Sequence, residues 1–138
     1  MPKINEKNIW RVIDANYNRA KEGLRVCEDV CRFVLKDTRL TESFKKFRHD
    51  MTKYLQFVSL DNIVKSRNSR EDVGKATIDS ELKRDDVKDI FYANIQRVKE
   101  SVRVLEEIAK IYRAGSSKDF KRMRYRIYEV EKRIIERC

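Results

Sequence analysis

Residues 15–32 read ANYNRAKEGLRVCEDVCR, and residues 93–110 read ANIQRVKESVRVLEEIAK. Eight of the eighteen aligned positions are identical, and the identities include polar as well as apolar side chains. The shared polar pairs include Asn16/Asn94, Arg19/Arg97, Arg25/Arg103 and Glu28/Glu106. A second match follows each copy, where FKKFR at Phe44–Arg48 corresponds to FKRMR at Phe120–Arg124. Self-similarity at this spacing predicts one helical hairpin that is used twice.

The composition favours a single all-α domain over residues 1–138. Charged residues make up 41% of the chain, whereas only three glycines and one proline occur, so helix formers dominate and turn formers are rare. A chain of this length is able to bury the core of a helical bundle. We therefore predict two helical hairpins related by a pseudo-twofold axis, with repeats at about 9–58 and 84–137 and a long central loop.

Capping residues predict where the helices of the first hairpin begin and end. The first helix is expected to begin after Asn5 or Asn8 and to run to about Leu35. Thr41 is the expected N-cap of the second helix, which runs to about Val58. Asn16 lies in the middle of the apolar stripe of the first helix, where an amide is unusual.

The second hairpin is predicted in the same way. Its first helix begins between Asp79 and Asp86 and runs to about Tyr112. Gly115 is expected to end that helix, and the segment Ser116–Asp119 resembles a capping box for the last helix, which continues to the end of the chain.

The cysteines and the lack of a leader indicate a cytoplasmic protein. Cys27, Cys31 and Cys138 leave one thiol over under any disulfide pairing, which argues against a secreted disulfide scaffold. Cys27 and Cys31 are one helical turn apart and are interpreted as core side chains, with a pair of metal ligands as the alternative. No basic-then-apolar leader and no apolar run of membrane-spanning length occurs in the sequence.

The net charge of +10 predicts a polyanionic partner. Nucleic acid, a membrane surface and small phosphorylated metabolites all satisfy this condition. Acidic residues accompany the basic ones in both copies of the repeat, which makes a continuous nucleic-acid surface the weaker interpretation.

The central loop, at about residues 59–79, is expected to be functional, because a long loop in a compact domain usually is. It contains Arg67, Asp72 and Gly74. The tripeptide Asp72–Gly74 resembles a magnesium or phosphate loop, in which the carboxylate binds the metal and the glycine lets the backbone approach the ligand. Asp72 is therefore the candidate metal ligand.

The repeated polar residues are candidates for an anion-binding cleft between the hairpins. Asn16 and Asn94 either fix helix register or line a polar pocket. Arg19 and Arg97 either clamp an anion or form surface pairs of the type Arg19–Glu22. Further candidates follow in the second helix of each hairpin: Arg48, His49, Arg124 and Tyr125.

Five segments of the chain resemble a known family over nearly its whole length. They are IDANYNRAKEGLRVCEDVCRFVL at 13–35, LTESFKKFRHDM at 40–51, SRNSREDVG at 66–74, ANIQRVKESVRVLEE at 93–107 and FKRMRYRIYEVE at 120–131. They are similar to the all-helical, monofunctional hydroxymethylpyrimidine phosphate kinases of thiamine biosynthesis. This family occurs alone or fused to thiamine-phosphate synthase, and its pattern has Asp at the position of Asn68 and Thr at that of Lys75.

The resemblance implies transfer of a phosphoryl group from ATP, with Mg²⁺, to hydroxymethylpyrimidine phosphate. It assigns no residue roles, so these are predicted from residue type and spacing. Arg19, Arg97, Arg48 and Arg124 are expected to act on the transferred phosphoryl group. Asn16, Asn94, Arg67, Gly74, His49 and Tyr125 are expected to bind the substrates. The matching amide and guanidinium groups of the two copies are expected to face one shared anion-binding cleft.

Two other functions stay open at this point. One is a non-catalytic assembly or regulatory partner of thiamine-phosphate synthase. The other is a basic nucleic-acid-binding protein. A homodimer with the site near its interface is also predicted, because repeated helical hairpins often associate.

Overall fold

The structure is a computed structural model that describes residue 1 and residues 3–137, and at position 80 it describes the backbone alone. Over these residues the chain forms helices and no β-strand, which confirms the all-α prediction. Five α-helices occur: α1 Glu6–Asp29, α2 Thr38–Tyr54, α3 Leu60–Lys65, α4 Val87–Tyr112 and α5 Ala114–Arg137. A π-helical turn occupies Val30–Val34, and short 3₁₀ helices occupy Ser69–Glu71 and Asp79–Leu82. Cys138 lies outside the described residues.

Helix α1 begins as predicted but ends differently. Asn5 is its N-cap, and the side-chain oxygen of Asn5 accepts a hydrogen bond from the Lys7 amide at 3.0 Å. After Asp29 the chain widens into the π-helical turn, in which the Leu35 amide donates to the Val30 carbonyl at 3.0 Å. Lys36 then adopts a positive φ of 53°, so the chain reverses toward α2 within three residues.

The cap of α2 is Asp37, and the prediction of Thr41 for this role was wrong. The carboxylate of Asp37 accepts a hydrogen bond from the Leu40 amide at 2.9 Å. Thr41 lies one turn inside the helix, where its buried hydroxyl donates to the Asp37 carbonyl at 2.7 Å. The helix ends at Tyr54, before the predicted boundary at Val58.

The turn between α4 and α5 is shorter than the sequence suggested. Arg113 alone separates the two helices and has an extended backbone, with φ −154° and ψ 111°. Its carbonyl accepts from the Ser116 amide at 3.1 Å. Gly115 therefore lies in the first turn of α5 and does not end α4, and the predicted capping box at Ser116–Asp119 is inside the helix.

The long central loop is partly ordered into helix. Ser59 caps the short helix α3, and Ile63 of α3 is buried in the core. The 3₁₀ helix at Ser69–Glu71 follows, capped by Asn68. This segment has no counterpart in the second hairpin, so it breaks the pseudo-twofold relation.

Helices α1 and α4 form the central pair, and each also packs against the second helix of its own hairpin. Gly23 lies where α1 meets α4, because a Cβ atom there would be 2.7 Å from Val98 Cγ2 and 3.1 Å from the Asn94 carbonyl oxygen. Apolar periodicity predicts that Phe44, Phe47 and Met51 of α2 and Phe120 and Met123 of α5 face the core, and all five are buried. The same periodicity predicts inward positions for four residues that the structure exposes: Val12, Val34, Val87 and Ile90.

Cys27 and Cys31 are fully buried in the hydrophobic core, as expected for core side chains. Burial raises the pKa of the Cys27 thiol, with a smaller contribution from Cys31. In the part of the chain that the structure describes, no three His, Cys, Asp or Glu side chains lie close enough together to hold a metal ion.

A buried ion cluster occurs in the same place in both hairpins. In the first, the carboxylate of Glu28 accepts hydrogen bonds from Arg25 at 3.1 Å and from Arg48 at 2.8 Å. Glu28 is completely buried. This cluster joins α1 to α2.

The second hairpin repeats the cluster. Glu106 is bonded by Arg103 and, at 3.0 Å, by Arg124, whose pKa is raised first by the hydrogen bond to Glu106. The predicted pseudo-twofold relation therefore extends to individual ion pairs.

Candidate functional site

A cleft of about 780 Å³ lies between the first half of α1 and the segment that follows α3. Its wall on α1 includes Arg11, Asp14, Asn16 and Arg19, whereas Arg67 and Asp72 line the other side. One apolar residue of α4, Val104, completes the floor. We call this the α1 cleft.

A bidentate ion pair between Arg67 and Asp14 attaches the central loop to α1. Arg67 donates through Nε to one oxygen of Asp14 at 2.7 Å and through Nη2 to the other at 2.8 Å. Asp14 is only 4% exposed, and the Asn18 amide also donates to it at 3.2 Å. The hydrogen bond to Asp14 is the main reason that the pKa of Arg67 is raised. The guanidinium is thus held in one orientation, with its Nη1 group still available to a ligand.

The loop beyond Arg67 is shaped by hydrogen bonds of its own. Asn68 accepts from the Glu71 amide at 3.3 Å, and its carbonyl accepts from Arg11 of α1 at 3.5 Å. Asp72 accepts from the Gly74 amide at 2.9 Å through Oδ1. This short turn holds the exposed carboxylate of Asp72 at the mouth of the cleft.

Asn16 and Arg19 are polar residues of α1 that line the cleft. Asn16 is 95% buried, and its amide nitrogen donates to the Val12 carbonyl at 2.9 Å, which leaves the amide oxygen as an acceptor. Arg19 is exposed, one turn further along the same face. Together with Arg11 and Arg67, it gives the cleft three guanidinium groups, which suit phosphate.

A magnesium ion is compatible with this donor set. Mg²⁺ usually binds one or two carboxylates together with substrate phosphates and waters, so a dedicated protein cage is not required. Both oxygens of Asp14 already accept from Arg67, so Asp14 is a poor ligand. Asp72 uses Oδ1 for the turn and presents Oδ2, so it is the residue that would hold the ion.

In the part of the chain that the structure describes, the α1 cleft does not bring together the matching asparagines and arginines of the two copies. Apart from Val104 of α4, the lining residues of the α1 cleft come from the first hairpin and the loop, and Asn94 and Arg97 are not among them. Asn94 donates to the Ile90 carbonyl at 2.8 Å, as Asn16 does to Val12. The repeated asparagines therefore share a structural bond to the preceding turn, and only the first one borders the cleft.

Arg48 and Arg124 are held by Glu28 and Glu106 and line two other depressions. Arg48 and His49 border one that is rich in lysine, whereas Arg124 and Tyr125 border one at the start of α5. Gly74 lies beside Asp72 but does not line the α1 cleft. Of the residues predicted for the site, the cleft brings together Asn16, Arg19, Arg67 and Asp72.

Sequence reasoning missed Arg11, Asp14 and Asn18. All three lie on one face of α1 at positions i, i+3 and i+7. That pattern of one cation, one acid and one amide beside an apolar stripe was the available signal. The sequence did not show that these residues line a cleft, because Arg67, the ion-pair partner of Asp14, lies 53 residues further along the chain.

Among the helices that the structure describes, none is long and apolar enough to cross a membrane.

The chain is similar to parts of longer proteins. It is 37% identical over 136 residues to thiamine-phosphate synthase of Synechocystis, an alignment that covers 98% of this chain and 38% of that protein. It is 40% identical over 124 residues to thiamine-phosphate synthase of Prochlorococcus marinus, covering 89% of this chain and 34% of the relative. A third relative, thiamine-phosphate synthase of Nostoc punctiforme, is 35% identical over 128 residues, which cover 92% of this chain and 35% of that protein. The chain therefore spans only a little over a third of these relatives.

No solved structure matches the chain. The model of the ThiD2 family matches residues 11–133, which include both hairpins and the whole α1 cleft apart from Asn8. The chain belongs to the ThiD2 family.

Proposed function

We propose that this chain acts in thiamine biosynthesis and transfers the terminal phosphoryl group of ATP to 4-amino-5-hydroxymethyl-2-methylpyrimidine phosphate. Membership of the ThiD2 family and the names of the thiamine-phosphate synthase relatives support the pathway. The chain corresponds to about a third of those relatives. The kinase step is therefore argued from this chain's own cleft.

The proposed reaction does not require a strong general base. An oxygen of the substrate phosphate attacks the terminal phosphorus of ATP, the bridging P–O bond breaks, and ADP leaves while the pyrimidine diphosphate forms. The second pKa of a phosphate monoester is about 6, so the attacking oxygen is already ionised near pH 7. The main obstacle is repulsion between two polyanions, which cationic side chains and positioning overcome.

The convergence of arginines from α1 and from the loop is the single observation that carries the proposal. Arg11 and Arg19 lie on α1, and Arg67 reaches the same cleft from the loop. The hydrogen bonds that Arg67 donates to Asp14 fix the Arg67 guanidinium before any substrate binds, which reduces the entropy lost when a phosphate is held. Buried Asn16 presents an amide oxygen that suits the amino group of the pyrimidine.

Magnesium would be held by Asp72, at the cleft mouth. When bound, the ion neutralises charge on the ATP phosphates and aligns them. The remaining polar contacts are made by the chain itself, through Arg19 and Arg67 toward phosphate oxygens and through Asn16 toward the pyrimidine.

A direct assay tests the proposal. The purified chain is incubated with ATP, Mg²⁺ and the pyrimidine phosphate, and diphosphate formation is followed by ³¹P NMR or by coupled detection of ADP. We expect diphosphate to appear only when all three components are present. Absence of product with a folded chain, together with binding to thiamine-phosphate synthase, would instead favour the non-catalytic partner.

Single substitutions then test the location of the site. We expect Arg19→Ala and Arg67→Ala each to lower kcat/KM by about 10²-fold or more, because each removes a charged contact to phosphate. Arg133→Ala removes the same charge from an exposed position of α5 and is expected to leave kcat/KM unchanged. The repeat equivalent of Arg19 discriminates between the hairpins: loss of activity in Arg97→Ala, with full activity in Arg19→Ala, would move the site out of the α1 cleft.

A further inference from the structure

The floor of the α1 cleft is apolar, although its walls carry polar groups. Val12, Ala15 and Val104 line it, and none of the three is fully buried. Val12 is 39% exposed, whereas the periodicity of α1 places it toward the core. Ligand pockets typically combine such an apolar surface with a few polar groups that orient the ligand. The floor is therefore suited to a flat aromatic ring.

Asn16 supplies the polar group that orients a ligand on this floor. It is 5% exposed and lines the cleft. Its amide nitrogen donates to the Val12 carbonyl at 2.9 Å, and because a carbonyl oxygen only accepts, the amide cannot be turned round without losing that bond. The amide oxygen, Oδ1, is therefore the atom that accepts a hydrogen bond from a ligand.

The spacing of Asn16 and Arg19 matches two polar groups of the proposed substrate. In hydroxymethylpyrimidine phosphate, the 4-amino group and the 5-methylene that carries the phosphate are attached to neighbouring ring atoms, so their partners must be neighbours as well. Asn16 and Arg19 are three residues apart on one face of α1, which places their Cβ atoms about 5–6 Å apart. In an adenine nucleotide, by contrast, the ribose separates the phosphate from the amino group of the base.

The second copy of the repeat has equivalent residues without the cleft. The equivalents of Val12, Ala15, Asn16 and Val104 are Ile90, Ala93, Asn94 and Val26. Asn94 also donates to the carbonyl four residues earlier, at 2.8 Å from the oxygen of Ile90. The bond to the preceding turn is thus shared by both asparagines, whereas only Asn16 lines the cleft beside Arg67. This difference separates a binding role for Asn16 from a structural one.

We propose that Asn16 determines which pyrimidine the α1 cleft accepts. The ring lies on Val12, Ala15 and Val104, Oδ1 of Asn16 accepts a hydrogen bond from the 4-amino group, and Arg19 holds the phosphate on the neighbouring 5-methylene. A 4-oxo group in place of the amino group would set one acceptor oxygen against another, so the 4-oxo analogue is rejected. The identity of the substrate rests on the proposed function, but binding in the absence of ATP tests this ring subsite by itself.

Methyl NMR of the full chain locates the ring. Hydroxymethylpyrimidine phosphate is titrated without ATP while the methyl signals of Val12 and Val104 are followed together with those of their repeat equivalents, Ile90 and Val26. A ring stacked on the floor shifts the methyl protons beneath it through its ring current. We expect saturable shifts at Val12 and Val104 that inorganic phosphate does not produce, and none at Ile90 and Val26. Absence of these shifts, or equal shifts at both sets, would overturn the proposal.

The 4-oxo analogue and a matched pair of variants test the role of Asn16. We expect the unaltered chain to bind the amino compound at least about tenfold more tightly than its 4-oxo analogue, because only the amino group donates to Oδ1. Asn16→Leu removes the acceptor at similar volume and is expected to reduce this preference to less than about twofold. Asn94→Leu removes the same bond to the preceding turn and is expected to keep the preference. The proposal is wrong if the unaltered chain binds both compounds equally, a result that depends on no variant, or if Asn16→Leu keeps the preference.

Two outcomes separate this inference from the kinase proposal. Selective binding of the amino compound without diphosphate formation would support the ring subsite and contradict the kinase activity. Diphosphate formation without a response at Val12 and Val104 would do the reverse. Adenosine monophosphate contains the same aminopyrimidine ring with its phosphate on the ribose, and we expect it to bind more weakly. Tighter binding of this nucleotide, with shifts at Val12 and Val104, would assign the subsite to the nucleotide and contradict the proposal.

Discussion

At the scale of single residues, Gly23 is the position where the backbone of one central helix comes closest to the other. A Cβ atom there would stand 2.7 Å from Val98 Cγ2 and 3.1 Å from a backbone oxygen of α4. Val98 is fully buried and branched at Cβ, so it has no flexible end to move aside. Alanine gains about 1 kcal/mol of helix propensity over glycine, whereas overpacking a core typically costs about 1–3 kcal/mol.

We therefore predict that Gly23→Ala lowers the free energy of unfolding by up to about 2 kcal/mol, as measured by urea denaturation. Gly115→Ala is the matched control, because its Cβ would meet nothing closer than Arg113 Nε at 3.6 Å. The control is expected to be as stable as the unaltered chain or slightly more stable. A rise in stability for Gly23→Ala would show that the two helices move apart at little cost.

The residue scale also shows what the repeated polar side chains do. Arg25, Glu28 and Arg48 are repeated as Arg103, Glu106 and Arg124 because each set forms the same buried ion cluster. Their identity across the repeat therefore corresponds to one arrangement of ion pairs that both hairpins contain. It did not predict the α1 cleft, because residues that serve both hairpins equally are tied to the symmetric part of the structure.

At the scale of the helix, the start of α2 depends on the carboxylate of Asp37. The Leu40 amide, followed by Arg137, lowers the pKa of Asp37 below its usual value of about 3.9. A carboxyl group whose pKa is lower in the folded state stabilises that state above its unfolded pKa, and the contribution disappears as the pH falls through the folded pKa.

We predict that the unaltered chain has a higher melting temperature than Asp37→Asn at pH 6–7, and that the difference shrinks below about pH 4. Thermal unfolding across this pH range measures it. Arg137→Gln is expected to reduce the pH-dependent part without removing it, because the Leu40 amide remains. A difference between the chain and Asp37→Asn that stays constant down to pH 2 would contradict the role of the carboxylate charge.

The four long helices were predictable from apolar periodicity, whereas the short helix α3 and most helix ends were not. Thr41 is a good N-cap by residue type, but Asp37 lies one turn earlier and takes that position. Gly115 signals a helix end, yet the extended backbone of Arg113 already separates α4 from α5. In both cases the turn was set by packing of the hairpin, which a single sequence does not reveal.

At the scale of the whole molecule, the loop between the hairpins decides where the proposed site lies. Two copies of one hairpin give a nearly symmetric bundle, but only one segment 66–74 exists to pair with it. Through Asp14 and Arg67 this segment attaches to the first copy and closes the α1 cleft there. Arg67, Asp72 and Gly74 led the sequence analysis to predict a functional role for this segment, but the sequence did not show the helix to which the segment attaches.

The same asymmetry predicts different stabilities for the two buried ion clusters. Among the described residues, Glu28 is the acidic partner of both Arg25 and Arg48, so Glu28→Ala leaves Arg48 beside an apolar core without a carboxylate. In the second hairpin, Arg103 also pairs with Glu107 at 2.8 Å, and Arg124 also bonds the Tyr128 hydroxyl at 2.9 Å. Those additional contacts remain when Glu106 is removed.

We expect Glu28→Ala to lower the free energy of unfolding by about 3–5 kcal/mol, the usual cost of breaking a buried ion pair, and Glu106→Ala to lower it by less. Urea denaturation of both variants under identical conditions gives the order. Since the two clusters share no partner, the double variant should show nearly the sum of the two effects. An equal or larger loss of stability in Glu106→Ala would contradict this prediction. It would mean that the contacts with Glu107 and Tyr128 do not stabilise Arg103 and Arg124 once the Glu106 carboxylate is removed.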